Sequence, residues 1–169
     1  MAYASWSVVY GEQPSAAKWN ILGTNDAHFY SFLGANLAWQ SWTPTFTNLS
    51  GGTIQFAKYT QVGKTVNYYL KYQLAGAGVA GAVKFTLPVT PSSMYDQLGI
   101  SLMGIAHYRD AGTASFEGLV LYDSGSTVEC RVNGAAATYV TTGNLLSSTI
   151  PFTWANTDQI HATGTYEAA

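Results

Sequence analysis

Lys64-Thr65-Val66-Asn67-Tyr68-Tyr69-Leu70-Lys71-Tyr72-Gln73-Leu74 puts Val66, Tyr68, Leu70, Tyr72 and Leu74 on one side of an extended chain and mostly polar groups on the other. A helix would scatter those five side chains around its circumference, whereas a strand gathers them into a face that can be buried. The two-residue beat returns in Val83, Phe85 and Leu87, in Val128, Cys130 and Val132, in Ile150, Phe152 and Trp154, and in Ile160, Ala162, Gly164 and Tyr166. Gly, Ser, Asn, Asp or Pro bounds each run, which is the pattern of half-buried antiparallel strands.

Working outward, strands are expected at 43–48, 53–62, 64–74, 82–87, 99–109, 114–123, 126–132, 136–141, 148–154 and 158–167. Gln61-Val62-Gly63-Lys64 and Asp123-Ser124-Gly125-Ser126 read as tight hairpin connections. Many short strands without intervening helices predict a mainly β fold, an antiparallel β-sandwich of jelly-roll type spanning 39–169.

The first 38 residues follow another rhythm. Pro14 and Ser15 stand where helices begin, and Trp19, Leu22, Asp26, Phe29, Leu33 and Asn36 recur at alternating steps of three and four, the spacing of a coiled-coil seam. Gly23 and the following Thr24-Asn25-Asp26 weaken that helix, so two short helices with a joint are expected. Two arrangements fit the seam: a stalk shared by several copies, or one amphipathic helix lying on its own β domain. Ahead of it, the segment from Tyr3 through Trp6 and Val8 to Tyr10 is apolar and partly alternating.

Composition narrows the functions. The 169 residues are 47 % apolar, enough for a core, yet only 9 % are charged, against about 25 % in an ordinary soluble domain. Such a surface is uncharged and polar, or is covered by other subunits. The net charge of −2 comes from scattered residues with no basic stripe, which argues against nucleic acid. The single cysteine, Cys130, falls on the apolar side of its strand and reads as a small buried hydrophobe. No stretch has the length or flanks of a secretion signal or membrane span, so the chain is expected to be made in and to stay in a cytosol-like compartment until something such as lysis releases it.

Catalytic patterns are weak throughout. Gly76-Ala77-Gly78-Val79-Ala80-Gly81 has the spacing of a dinucleotide fingerprint, but Val83-Lys84-Phe85-Thr86-Leu87-Pro88 follows it in place of the helix that would hold a pyrophosphate. Those glycines read instead as a hairpin tip of small residues. His28, His107 and His161 lack metal-ligand spacing, so no metal or cofactor is expected. The carboxylate pairs Asp110 with Glu117 and Asp123 with Glu129 are close in sequence, which leaves a small β-sandwich hydrolase as a distant rival. No Gly-x-Ser-x-Gly elbow occurs.

Aromatics carry more information. Twelve Tyr, seven Phe and five Trp exceed what the inward faces absorb. Tyr59 and Tyr69 read as outward rings, suited to a subunit contact or to stacking on sugars.

The combination of Gly11-Glu12-Gln13-Pro14-Ser15-Ala16-Ala17-Lys18-Trp19-Asn20 and the residues to Asp26, Trp42-Thr43-Pro44-Thr45-Phe46-Thr47-Asn48, Lys58-Tyr59-Thr60-Gln61-Val62-Gly63-Lys64-Thr65-Val66, Phe85-Thr86-Leu87-Pro88 and Gly164-Thr165-Tyr166-Glu167-Ala168 resembles the C-terminal parts of bacteriophage fibre and other virion-surface proteins. The resemblance implies a homotrimer: a short helical stalk, a β-sandwich head, no catalysis, and display on a tail or capsid where it touches other virion proteins and a host cell-surface glycan. Because the block begins at Met1 and not at the end of a long fibre, a head fibre or capsid-decorating protein is a second expectation, with Tyr3, Trp6, Val8 and Tyr10 as the candidate strand that anchors it on the particle. A stand-alone carbohydrate-binding module, monomeric and free of particles, is the rival from another class.

Overall fold

The structure is a computed structural model that describes residues 10–11, 13, 15–97, 101–136 and 139–169, with the backbone alone described at 32–37, 97, 135–136, 139 and 142. The chain divides into two compact units, 1–38 and 39–169.

In the first unit, α1 (Ala16–Leu37) opens on Ser15, whose hydroxyl oxygen accepts the Lys18 N–H at 3.4 Å. That bond satisfies one of the donors a helix start leaves orphaned. The expected joint at Gly23 is corrected, because α1 runs through it unbroken. A mid-helix glycine costs only about 1 kcal/mol, and Thr24 returns its hydroxyl to the Asn20 carbonyl at 2.9 Å without leaving the helix.

The second unit is mainly β and antiparallel, as its alternation predicts. Its strands are β1 (Gln40–Ser41), β2 (Phe46–Leu49), β3 (Gly52–Val62), β4 (Thr65–Ala75), β5 (Val79–Thr86), β6 (Leu102–Asp110), β7 (Ala114–Ser124), β8 (Thr127–Ala136), β9 (Tyr139–Leu145) and β10 (Asn156–Glu167). All ten belong to one sheet in the order β1-β3-β4-β10-β6-β7-β8-β5-β2, with β9 on β8. The sheet curls on itself like a sandwich: Phe46 on its last strand meets Tyr72 on its third, ring centroids 4.9 Å apart.

Curling gives the sheet an inner face. Val66, Tyr68, Leu70, Tyr72 and Leu74 of β4 are all buried there, with Phe85, Tyr108, Cys130, Val128, Ile160 and Tyr166. Two polar anchors fasten the edges. Tyr166 donates its hydroxyl to the Val89 carbonyl at 2.7 Å and accepts the Val89 N–H at 3.1 Å. Asp158, 1 % exposed, accepts the Ala111 N–H at 2.9 Å and the Ala155 N–H at 2.6 Å, tying the β6–β7 turn to the start of β10.

Two further expectations are corrected here. Residues 148–154 form turns rather than a strand, held by the Ser147–Ile150 bridge. Pro151 cannot donate to a ladder, and Trp154 reaches the core from the loop, its indole N–H bonded to the Ser147 carbonyl at 3.0 Å. The glycines at 76–81 do not close a hairpin, since β4 and β5 lie far apart in the strand order. They carry the crossover between them, and a Cβ on Gly78 would stand 2.0 Å from the Ser50 carbonyl.

Candidate functional site

The outer face of the sheet is where chemistry collects. Residues that alternate with the buried side chains of β4, β10, β6 and β7 point away from the core, and the register sets them in three cross-strand rows. One row is Lys71, His161, His107 and Glu117. On one side of it runs Tyr69, Thr163, Ile105, Leu119 and Arg131; on the other, Gln73, Gln159, Arg109 and Ser115.

The two histidines touch. Their rings meet edge to face with centroids 5.6 Å apart, and Gln159 Oε1 lies 3.0 Å from His161 Nε2. Burial lowers the proton affinity of His161 below the ordinary histidine value, and Lys71, His107 and Arg109 lower it further by repulsion. Among the described residues of the head, the ion pairs join Lys84 to Asp123 at 2.7 Å and to Glu129 at 3.9 Å, and Arg131 to Glu129 at 2.7 Å. Lys71 and Arg109 stand outside those pairs.

Two open depressions flank this row. One of about 160 Å³ is bordered by Tyr69, His161 and Thr163, the other of about 390 Å³ by Glu117, Leu119 and Asn133, and both share Ile105, Ala106 and His107. Ile105 is 59 % exposed between them. Beside the second depression Asn133 Oδ1 is buried and finds no hydrogen-bond partner among the described residues.

The depressed proton affinity of His161 has a consequence for stability. Around the ordinary histidine range the unfolded chain binds more protons than the folded head, so stability falls as pH falls through that range. Urea midpoints at about pH 7.5 and about pH 5 should show this loss, and His161→Gln should lessen it. Equal pH dependence in the variant would place the effect elsewhere.

The residues singled out from the sequence fare differently. Tyr69 lies on the outer face, edge to face with Phe56 at 5.3 Å. Tyr59 instead turns inward beside Trp42, 6.4 Å between centroids, and donates its hydroxyl to Gln40 Oε1 at 2.9 Å. Its partner across the ladder is inward Tyr68, so it shares that face. On α1, Trp19, Leu22 and Phe29 are exposed, and Trp19, Leu22 and Asp26 border one depression of about 420 Å³ with Gly23. The side chain of Leu33 and the candidate anchoring residues Tyr3, Trp6 and Val8 lie outside the described residues, while Tyr10 is fully exposed.

Nothing resembling a hydrolytic pair emerges from the carboxylates. Asp123 and Glu129 share Lys84, and Asp110 faces Ala114 at the end of β6 while Glu117 faces His107. Burial pushes the Cys130 thiol up to about 12, far from nucleophilic. Among the described residues no group of three or more His, Cys, Asp or Glu is placed to hold a metal ion, and no helix is long and apolar enough to cross a membrane.

Sequence reasoning missed the histidine row. His107 and His161 become neighbours only because β10 inserts between β4 and β6, a pairing no local pattern announces. Set beside known proteins, the chain matches no protein-family model, no curated protein and no solved structure.

Proposed function

We propose that this chain is a non-enzymatic virion-surface protein of a bacteriophage, a homotrimeric knob whose helix joins three copies and whose β head contacts the host cell surface. The observation that carries the proposal is the exposure of three large apolar side chains at seam spacing on α1. Trp19 is 58 % exposed, Leu22 40 % and Phe29 57 %, at steps of three and seven along one helix. Full burial of such side chains stabilises by about 1.5–3 kcal/mol each, and a seam shared between copies supplies that burial.

The low charge of the chain agrees with surfaces covered by other subunits, and the patchwise resemblance to phage fibre proteins points the same way. Display as a fibre tip and display as a capsid decoration share this geometry. The rival, a monomeric carbohydrate-binding module, calls for no seam shared between copies.

The test uses intact particles made from the genome that encodes the chain. Antibodies against the head should label them in electron micrographs, and the position of the label separates tail from capsid. Particles that contain no copy of the protein would contradict the reading. In parallel, Phe29→Asp should turn the assembled protein into monomers with an unchanged β circular-dichroism signal, because a charge in the seam loses its burial and is left unpaired. An unaltered mass in that variant would remove the seam from the account.

A further inference from the structure

We propose that the outer sheet face across β4, β10, β6 and β7 binds an acidic saccharide, with a sugar carboxylate held by Lys71, Arg109 and the His107–His161 pair and the adjoining sugar seated over Ile105 against Asn133 and Glu117. The proposal rests on the reading of the head as a contact surface, and it names the chemistry of what is contacted.

Charge complementarity is the first argument. The chain as a whole is acidic, with a net charge of −2 and seven Lys and Arg residues in all. Two of those seven, Lys71 and Arg109, converge with two of the three histidines on four adjacent sheet positions. Among the described residues Lys71 and Arg109 stand outside the head's ion pairs, and their repulsion already lowers the proton affinity of His161. An anion placed among them relieves that repulsion and gains charge-assisted hydrogen bonds.

Shape and polarity are the second argument. Two depressions share the Ile105, Ala106 and His107 wall, so successive units of one chain can occupy them. Tyr69 and Ile105 offer apolar surface to the hydrogen-bearing face of a sugar ring. Along the row the charge runs from Lys71 to Glu117, which directs the carboxylate to the basic end, beside the first depression, and an uncharged unit to the second. There the unpartnered Asn133 Oδ1 and the Glu117 carboxylate are acceptors for sugar hydroxyls.

The charged and titratable groups around His161 of β10 are His107 and Arg109 on β6, Lys71 on β4 and Glu117 on β7, with Gln159 beside it. As pH falls and His161 takes up its proton, the site gains positive charge, so an acidic ligand binds more tightly.

Calorimetry on the full chain tests this with three probes: a tetrasaccharide alternating uronic acid and N-acetylhexosamine, its methyl ester, and inorganic phosphate. The acid should bind, the ester should bind about tenfold more weakly or less, and affinity should fall with added salt. Lys71→Gln with Arg109→Gln should weaken the acid about tenfold while leaving the ester unchanged, and Asn133→Ala should weaken both. Circular dichroism confirms that each variant is folded. Equal binding of acid and ester, competition by phosphate at the affinity of the sugar, or no binding by any probe would overturn the proposal. Labelled particles with no sugar binding would leave the virion reading standing without this site. Sugar binding without particle labelling would do the reverse.

Discussion

Replacing Leu70 with Asp is expected to abolish the folded head. Leu70 is 0 % exposed in the middle of β4, between Tyr68 and Tyr72 on the inner face and paired with Ala57 on one neighbour and Ala162 on the other. The substitution forfeits the burial of a leucine and places a carboxylate where no cation can reach it, each worth several kcal/mol. A domain of this size is stable by about 5–15 kcal/mol in total. Thermal unfolding followed by circular dichroism should therefore show no cooperative transition in Leu70→Asp. Lys71→Gln, one position along on the outer face, should change stability by only about 0.5 kcal/mol. The contrast tests register, because a slip of one residue exchanges the two faces. A normal transition in Leu70→Asp would mean that β4 faces the other way.

Gly164→Val is expected to destabilise nearly as much, for a reason that has nothing to do with hydrophobicity. Here β10 passes β6 so closely that a Cβ on Gly164 would stand 2.0 Å from the Met103 carbonyl oxygen and 2.8 Å from the Gly104 Cα. Those atoms are backbone, and the ladder that pairs Thr163 with Ile105 keeps them from yielding. Gly104 is closed in the same way, by the Thr163 carbonyl at 2.2 Å and the Tyr68 hydroxyl at 2.6 Å. Two glycines thus let the tyrosine lie across the strand junction, where its hydroxyl reaches the Met103 carbonyl at 3.3 Å. Forced separation of the strands should lower stability by about 3 kcal/mol or more. Gly143→Ala is the control, since a Cβ there meets nothing within 4 Å. Equal urea midpoints for wild type and Gly164→Val would show that the strands are not so close.

What could be read in advance depended on how local the cause was. The β4 face was legible because five alternating side chains in eleven residues leave one solution, and the turns at Gly63 and Gly125 were legible because both adopt positive φ, 59° and 57°. Ile150, Phe152 and Trp154 kept the same beat and misled, since burial of Trp154 from a loop leaves the same apolar signature as a strand. Tyr59 was misassigned because the β3 register shifts between Ile54 and Phe56, which changes which side chains face inward. The glycines at 76–81 carried no mark of whether they close a hairpin or cross the sheet. The histidine row was beyond reach for a related reason: it is made by strand order, and only the insertion of β10 between β4 and β6 creates it.

Function in this account depends on several copies acting together, and the mass of the whole chain in solution measures that directly. Sedimentation equilibrium at micromolar concentration should return three times the 18.1 kDa of one chain. A single species at 18.1 kDa would contradict the shared seam, and with it the trimeric knob.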